Sequence, residues 1–124
     1  MKNGRIISIV DDDQSVRVAM RSLVRSLGFS AQAFASAEEF LQSPQLEETL
    51  CVISDVQMPG MSGIDLQKRL AVEKRDLPII FITAFPNDTT ERNALQAGAV
   101  CFLHKPFDSE TLINCIRKAL GRAP

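Results

Sequence analysis

A doubly wound α/β sandwich, with a parallel five-stranded sheet covered by helices on both faces, is the fold that this chain's pattern predicts. Three observations carry the expectation. Short strand-like runs recur five times, three of them apolar and rich in β-branched residues, and each is followed by a stretch whose apolar residues repeat at helical spacing. The apolar runs also stop abruptly at polar or charged residues and turn formers, Cys51-Val52-Ile53-Ser54-Asp55 before Met58-Pro59-Gly60 being the clearest case. Because crossovers between parallel strands are right-handed, such βα units stack into a flavodoxin-like three-layer sandwich of strand order 2-1-3-4-5, whose crevice lies at the carboxyl ends of strands one and three.

Taken in order, Ile6-Ile7-Ser8-Ile9-Val10 reads as a buried strand. Val16, Met20, Leu23, Val24 and Leu27 then share one helical face, and Gly28 ends that helix. Phe29 to Phe34 is a weaker, alternating strand. Ser36 and Glu39 form a capping box for a short helix that ends near Pro44. The third strand closes on Asp55. Ser62 with Asp65 opens the next helix, which carries Ile64, Leu66 and Leu70, and Pro78 precedes Ile79-Ile80-Phe81-Ile82-Thr83 as strand four. Asp88 with Glu91 caps a fourth helix terminated by Gly98, Val100 to Leu103 is strand five, and Leu112, Ile116, Ala119 and Leu120 line a last helix.

Composition narrows the function classes. The 124 residues suffice for one domain with a substantial core, and no linker or low-complexity tract divides them; Gly121-Arg122-Ala123-Pro124 can begin a linker to an output domain. Hydrophobic residues at 45% and charged ones at 23% exclude disorder. Fourteen basic against fifteen acidic residues leave a net charge of −1, too little positive charge for direct nucleic-acid contact by this domain. No apolar run approaches the roughly 20 residues of a spanning helix. The polar start Met1-Lys2-Asn3-Gly4 is unlike a signal peptide, so a cytoplasmic location with no membrane contact is expected. Cys51, Cys101 and Cys115 are odd in number, lack CxxC spacing and sit in apolar runs, which predicts buried reduced thiols rather than a disulfide or a metal site.

The strand ends hold the chemistry. Strand one runs into Asp11-Asp12-Asp13, strand three ends at Asp55, strand four at Thr83, and strand five leads through His104 to Lys105-Pro106. Each has an ordinary alternative: Asp55 can simply start a turn, and a run of acids can serve a helix N-terminus, with Asp13 as its N-cap. Parallel strands, however, bring these ends together. Carboxylates converging with no arginine nearby in sequence repel, which raises the pKa of at least one, and a divalent cation relieves the repulsion. Hard oxygen donors with room for water suit Mg²⁺. A nucleotide or flavin phosphate would want a glycine-rich, donor-presenting turn after strand one, and there is no GxGxxG and no GxxxxGK. With Lys105 as the second cation and Thr83 as hydroxyl donor, Asp55 is placed as the nucleophile of a phosphoryl transfer. His104, the one histidine, reads as a solvent-facing side chain rather than a zinc ligand.

Together these residues resemble the receiver domains of two-component response regulators. The resemblance spans essentially the whole chain and rests on the acidic pair after strand one, Asp55 followed by Met58-Pro59 and Gly63, Thr83 followed by Ala84, and Lys105-Pro106-Phe107. Ser36-Ala37-Glu38-Glu39-Phe40-Leu41 and Gly98-Ala99-Val100-Cys101-Phe102 are most similar to the NarL/FixJ branch. The resemblance implies that Asp55 accepts a phosphoryl group from a partner histidine kinase. It implies that Asp11, Asp12 and Asp55 hold Mg²⁺, with Asp12 the more direct ligand of the acidic pair and Gln57 adding its backbone carbonyl. Lys105 then pairs with the carboxylate and later with the phosphoryl oxygens, across a Lys105-Pro106 bond expected to be cis.

Thr83 and Phe102 match the switch positions, and many relatives have Tyr where Phe102 stands. A phenyl ring has no hydroxyl, so packing alone governs its rotamer, and plain core packing is the alternative for both Phe102 and Phe107. Phosphorylation is expected to draw Thr83 toward the new charge and remodel the face made by helix four, strand five and helix five, favouring a homodimer or the docking of an output domain in transcription regulation. Gln57 and Phe85 flank the path of a hydrolytic water, and the bulk of Phe85 followed by Pro86 predicts slow self-dephosphorylation. Two rival classes are a phosphohydrolase of the haloacid dehalogenase kind, which wants an acid where Gln57 stands, and a degenerate receiver acting only as an interaction module.

Overall fold

In the computed structural model, which describes residues 6–121, the elements follow the expected alternation. They are β1 Ile6–Val10, α1 Gln14–Ser26, β2 Ser30–Phe34, α2 Ala37–Gln42, β3 Thr49–Asp55, α3 Gly63–Val72, β4 Ile79–Thr83, α4 Asp88–Gln96, β5 Cys101–His104 and α5 Ser109–Gly121. The expectations about the polar start and about a linker beyond Gly121 lie outside the described residues. The five strands are parallel, in the order β2-β1-β3-β4-β5.

Alternation along the strands builds the layers. Cys51 and Ile53 of β3 and Ile80 and Ile82 of β4 point to one face, where they meet Met20 and Val24 of α1 and Leu112, Cys115 and Ile116 of α5. Val52, Ile79 and Phe81 point to the other, against Phe40 of α2, Leu66 and Leu70 of α3 and Ala94 of α4. Both faces of the central strands are therefore covered, which is why they read as continuous apolar runs. Each fully buried Ile or Phe, such as Ile53, Ile80 and Phe81, contributes about 1.5–3 kcal/mol by leaving water. A buried Gln67 ties α3 to α4 by donating its side-chain N–H to the carbonyl of Ala94 at 3.0 Å.

Several expectations are corrected. The Ser36 hydroxyl accepts from the Glu39 N–H at 3.1 Å, but the Glu39 carboxylate returns to the Ala35 N–H rather than to Ser36. After α2 comes a 3-10 helix, Pro44–Glu48, with the proline in its first turn. The cap of α4 is Asn87, whose side chain accepts from the Thr90 N–H, with Asp88 and Glu91 inside the first turn. Two cap-forming residues in succession, Asn87 and Asp88, made this boundary ambiguous by one position.

The cysteines divide. Cys51 is a buried free thiol, as expected, and burial pushes its pKa up to about 12, so it stays protonated. Cys101 and Cys115, expected to be reduced, instead form a disulfide, their Cα atoms 6.1 Å apart. The reason is the crossover from β5, which lays α5 back against its own strand and brings together residues 14 positions apart.

Candidate functional site at the carboxyl edge of the sheet

Asp11 follows β1 directly, and its N–H still pairs with the Phe34 carbonyl at 3.1 Å, so its backbone extends the sheet. Its side chain is fully buried and both oxygens are engaged. Oδ1 accepts from the Asp13 N–H at 2.9 Å, and Oδ2 accepts from Lys105 Nζ at 3.3 Å. Asp13 turns the other way and caps α1, accepting from the Ser15 and Val16 N–H groups at 2.8 and 3.4 Å. Asp12, between them, is exposed.

Asp55 is the last residue of β3 and is 8% exposed. Its Oδ2 lies 3.8 Å from Lys105 Nζ, so one ammonium faces both Asp11 and Asp55. Burial raises the Asp55 pKa above the usual carboxylate range, and the negative charge of Asp11 raises it further. Lys105 and the backbone N–H groups of Gln57 and Val56 act in the opposite direction without offsetting them. Gln57 itself is exposed on the loop leaving β3. Oxygens of Asp11, Asp12 and Asp55 lie within 4.8 Å of one another. Three carboxylates face the single Lys105 ammonium, so these side chains carry an excess of negative charge.

That donor set fits Mg²⁺. All three side chains offer hard oxygens, and exposed Asp12 borders solvent, where coordinated water has room. Asp11, Asp12 and Asp55 would hold the ion, and the loop containing Gln57 borders them.

Thr83 ends β4, is 1% exposed, and accepts from the Phe85 N–H at 3.0 Å through its hydroxyl oxygen. The Thr83 carbonyl accepts from the Lys105 N–H at 2.7 Å, so the hydroxyl and lysine positions are fastened to each other. The Lys105-Pro106 bond is cis, as expected. Phe102 is half-buried, its ring 5.9 Å from that of Phe81 and 6.0 Å from that of His104, so the packing alternative accounts for much of its environment. Phe107 packs at the edge of the core on the α1 and α5 side. His104 is exposed, and its Nε2 lies 3.0 Å from Glu91 Oε1 on α4. Phe85 stands 69% exposed on the loop after β4.

Two features needed tertiary structure to see. Arg17 lies on α1, and its Nη1 donates to the Asp11 carbonyl at 2.7 Å. This corrects the expectation that no arginine lies near the acids: the helix that Asp13 caps carries one back over them, onto a carbonyl rather than a carboxylate. Gly63 admits no side chain, because a Cβ there would lie 2.2 Å from the Asp55 carbonyl oxygen. That close approach explains why the motif after Asp55 includes this glycine.

Known proteins resemble this chain in sequence and fold. Residues 7–117 match the response regulator receiver domain family. Over 119 residues, 96% of this chain, the sequence is 44% identical to the response regulator protein TodT of Pseudomonas putida, covering 52% of that protein. It is 36% identical over 117 residues to the transcriptional regulatory protein FixJ of Bradyrhizobium diazoefficiens, covering 94% of this chain and 57% of that one. Among solved structures, FixJ-N superposes with a TM-score of 0.86 at 30% identity, covering 100% of this chain and 98% of the other. The chain spans about half the length of the curated relatives it matches. No helix among the described residues is long and apolar enough to cross a membrane. By its motifs, its fold and these relatives, the chain belongs to the receiver-domain family of response regulators, in the FixJ-like branch.

Proposed function

We propose that this domain is a phosphorylation-driven signalling switch of a cytoplasmic two-component system, in which Asp55 takes a phosphoryl group from a histidine kinase. The observation that carries the reading is the shared ammonium: Lys105 Nζ lies 3.3 Å from Asp11 and 3.8 Å from Asp55, beside an exposed Asp12. An Asp55 oxygen attacks phosphorus, a bond forms to give the acyl phosphate, and the donor's imidazole nitrogen, or acetate from acetyl phosphate, leaves with its electron pair. Mg²⁺, when bound, neutralises charge on the transferring oxygens. Lys105 balances one charge throughout, and the Gln57 N–H, which already favours the ionised Asp55 carboxylate, is positioned to donate to a phosphoryl oxygen.

The new group adds close to two negative charges and three acceptors next to Thr83. To reach them the Thr83 hydroxyl leaves the Phe85 N–H, and the Phe81–Phe102–His104 stack beside it repacks with the face of α4, β5 and α5. That face then governs homodimer formation or an output region acting in transcription. The domain performs no turnover on a separate substrate and touches neither nucleic acid nor membrane directly. Incubation with acetyl phosphate and Mg²⁺ tests the reading: stoichiometric labelling supports it, whereas rapid phosphate release with no accumulated label, or no labelling at all, contradicts it. Exposed Phe85 screens the hydrolytic water, so Phe85→Ala is expected to hasten decay of the phosphorylated form several-fold, and an unchanged decay rate would remove that role. Size-exclusion with a beryllofluoride mimic checks the association step, which is contradicted if neither self-association nor partner affinity changes.

A further inference from the structure

The loop from Val56 to Ser62 carries the Gln57 backbone, whose N–H favours the Asp55 carboxylate, so its conformation sets the phosphoryl site. Its inner edge is pinned: the Val56 N–H meets the Ile82 carbonyl at 3.0 Å, and the Gly63 N–H meets the Val56 carbonyl at 2.9 Å. Its outer turn is met by a side chain from a distant element. Glu38, in the first turn of α2, accepts from the Met61 N–H through Oε2 at 3.0 Å, across 23 residues of chain. The same oxygen stands 2.9 Å from where a Cβ on Gly60 would lie, and Gly60 has φ +76°. The left-handed turn calls for glycine at that position, and the absence of a side chain also leaves room for the Glu38 carboxylate beside it.

Glu38 is held to its task by its helix. Ala37 and Phe40 are fully buried on either side of it, and the Ser36 hydroxyl caps the turn. An exposed glutamate would otherwise extend into water, yet its anchored backbone holds the carboxylate over Gly60 and Met61. A charge-assisted hydrogen bond from a fixed helix to a turn is a device for positioning rather than for bulk stability.

We propose that Glu38 is a positioning residue for the phosphoryl site, a strap from α2 that holds the 56–62 loop in the shape needed for cation binding and phosphoryl acceptance. The proposal rests on the receiver reading above, but the strap itself can be tested apart from it. Its direct signature is hydrogen exchange of the Met61 amide, followed by NMR without cation or phosphodonor. Exchange should be slow in the wild type, markedly faster in Glu38→Ala and in the shorter Glu38→Asp, and restored in Glu38→Gln, which keeps the length and an acceptor oxygen. Mg²⁺ affinity by calorimetry should follow the same order, weakening roughly fivefold for Ala and Asp, the change one lost hydrogen bond supplies, and staying near wild type for Gln. Labelling by acetyl phosphate should slow at low Mg²⁺ and recover at saturating Mg²⁺, a split that a general folding defect would not produce. Wild-type Met61 exchange in Glu38→Ala overturns the strap whether or not Asp55 is phosphorylated. Faster exchange with unchanged Mg²⁺ affinity and labelling overturns its functional role alone. A wild type that neither binds Mg²⁺ nor becomes labelled overturns the receiver reading and this role with it, while leaving the exchange result intact.

Discussion

Asp55→Asn is expected to abolish phosphoryl labelling altogether and, at neutral pH without divalent cations, to melt above the wild type. The second half follows from the electrostatics of the site. Burial, and then the charge of Asp11, raise the folded-state pKa of Asp55 above the ordinary carboxylate value despite Lys105 and the two N–H donors. A carboxyl whose pKa is higher in the folded state binds its proton more tightly there. Its favourable contribution is therefore complete below the unfolded value and is lost as pH rises through the folded one. At pH above that raised value ionised Asp55 destabilises the fold, and the neutral amide removes that penalty. In a domain of this size each kcal/mol recovered moves the midpoint by about 3–6 °C. The gain should shrink as pH falls through the raised value, and saturating Mg²⁺ should close it from the other side by stabilising the wild type. Thermal melts at neutral and mildly acidic pH measure both trends. An Asn variant that melts below the wild type at neutral pH without cation would contradict the charge crowding.

Gly63→Ala should be the most damaging single-methyl addition in the chain. The new Cβ would sit 2.2 Å from the Asp55 carbonyl oxygen, 3.0 Å from the Phe81 ring and 3.1 Å from the Ser54 hydroxyl. The nearest obstacle is backbone, at the end of the central strand and one residue from the capping box of α3, so no rotamer change relieves it. Relaxation must move either the Asp55 peptide or the start of the helix. A loss of roughly 3 kcal/mol is expected, at the upper end for overpacking, which lowers the melting midpoint by about 10 °C. Labelling of Asp55 should fall as well, because the displaced peptide belongs to the phosphoacceptor. Near-wild-type melting together with normal labelling would show that α3 can draw back from β3 at little cost.

The fold was legible because its strands are short, strongly apolar and punctuated. Pro78 before a run rich in β-branched residues marked β4 as Ile79–Thr83, the span observed. Ser62 with Asp65 marked the start of α3, where the structure shows a full capping box. The candidate site was legible for a related reason: Asp11, Asp55, Thr83 and Lys105 all sit at strand ends, so parallel register alone gathers them. What stayed hidden depends on where side chains reach. Arg17 is six positions from Asp11, and only the course of α1 returns it to that carbonyl. Glu38 reads as an ordinary exposed glutamate until the 56–62 loop is in place beside it. The pairing of Cys101 with Cys115 depends on how closely α5 lies against β5, which no spacing rule encodes.

Site-resolved trapping of the acyl phosphate tests the central claim most directly. Protein treated with acetyl phosphate is reduced with borohydride, which converts a phosphorylated aspartate to homoserine, and the peptide spanning residues 49–63 is read by mass spectrometry. The account predicts homoserine at position 55 alone, formed with Mg²⁺ present and absent when the ion is chelated. Homoserine at another aspartate, or the same yield at Asp55 with and without Mg²⁺, would contradict it.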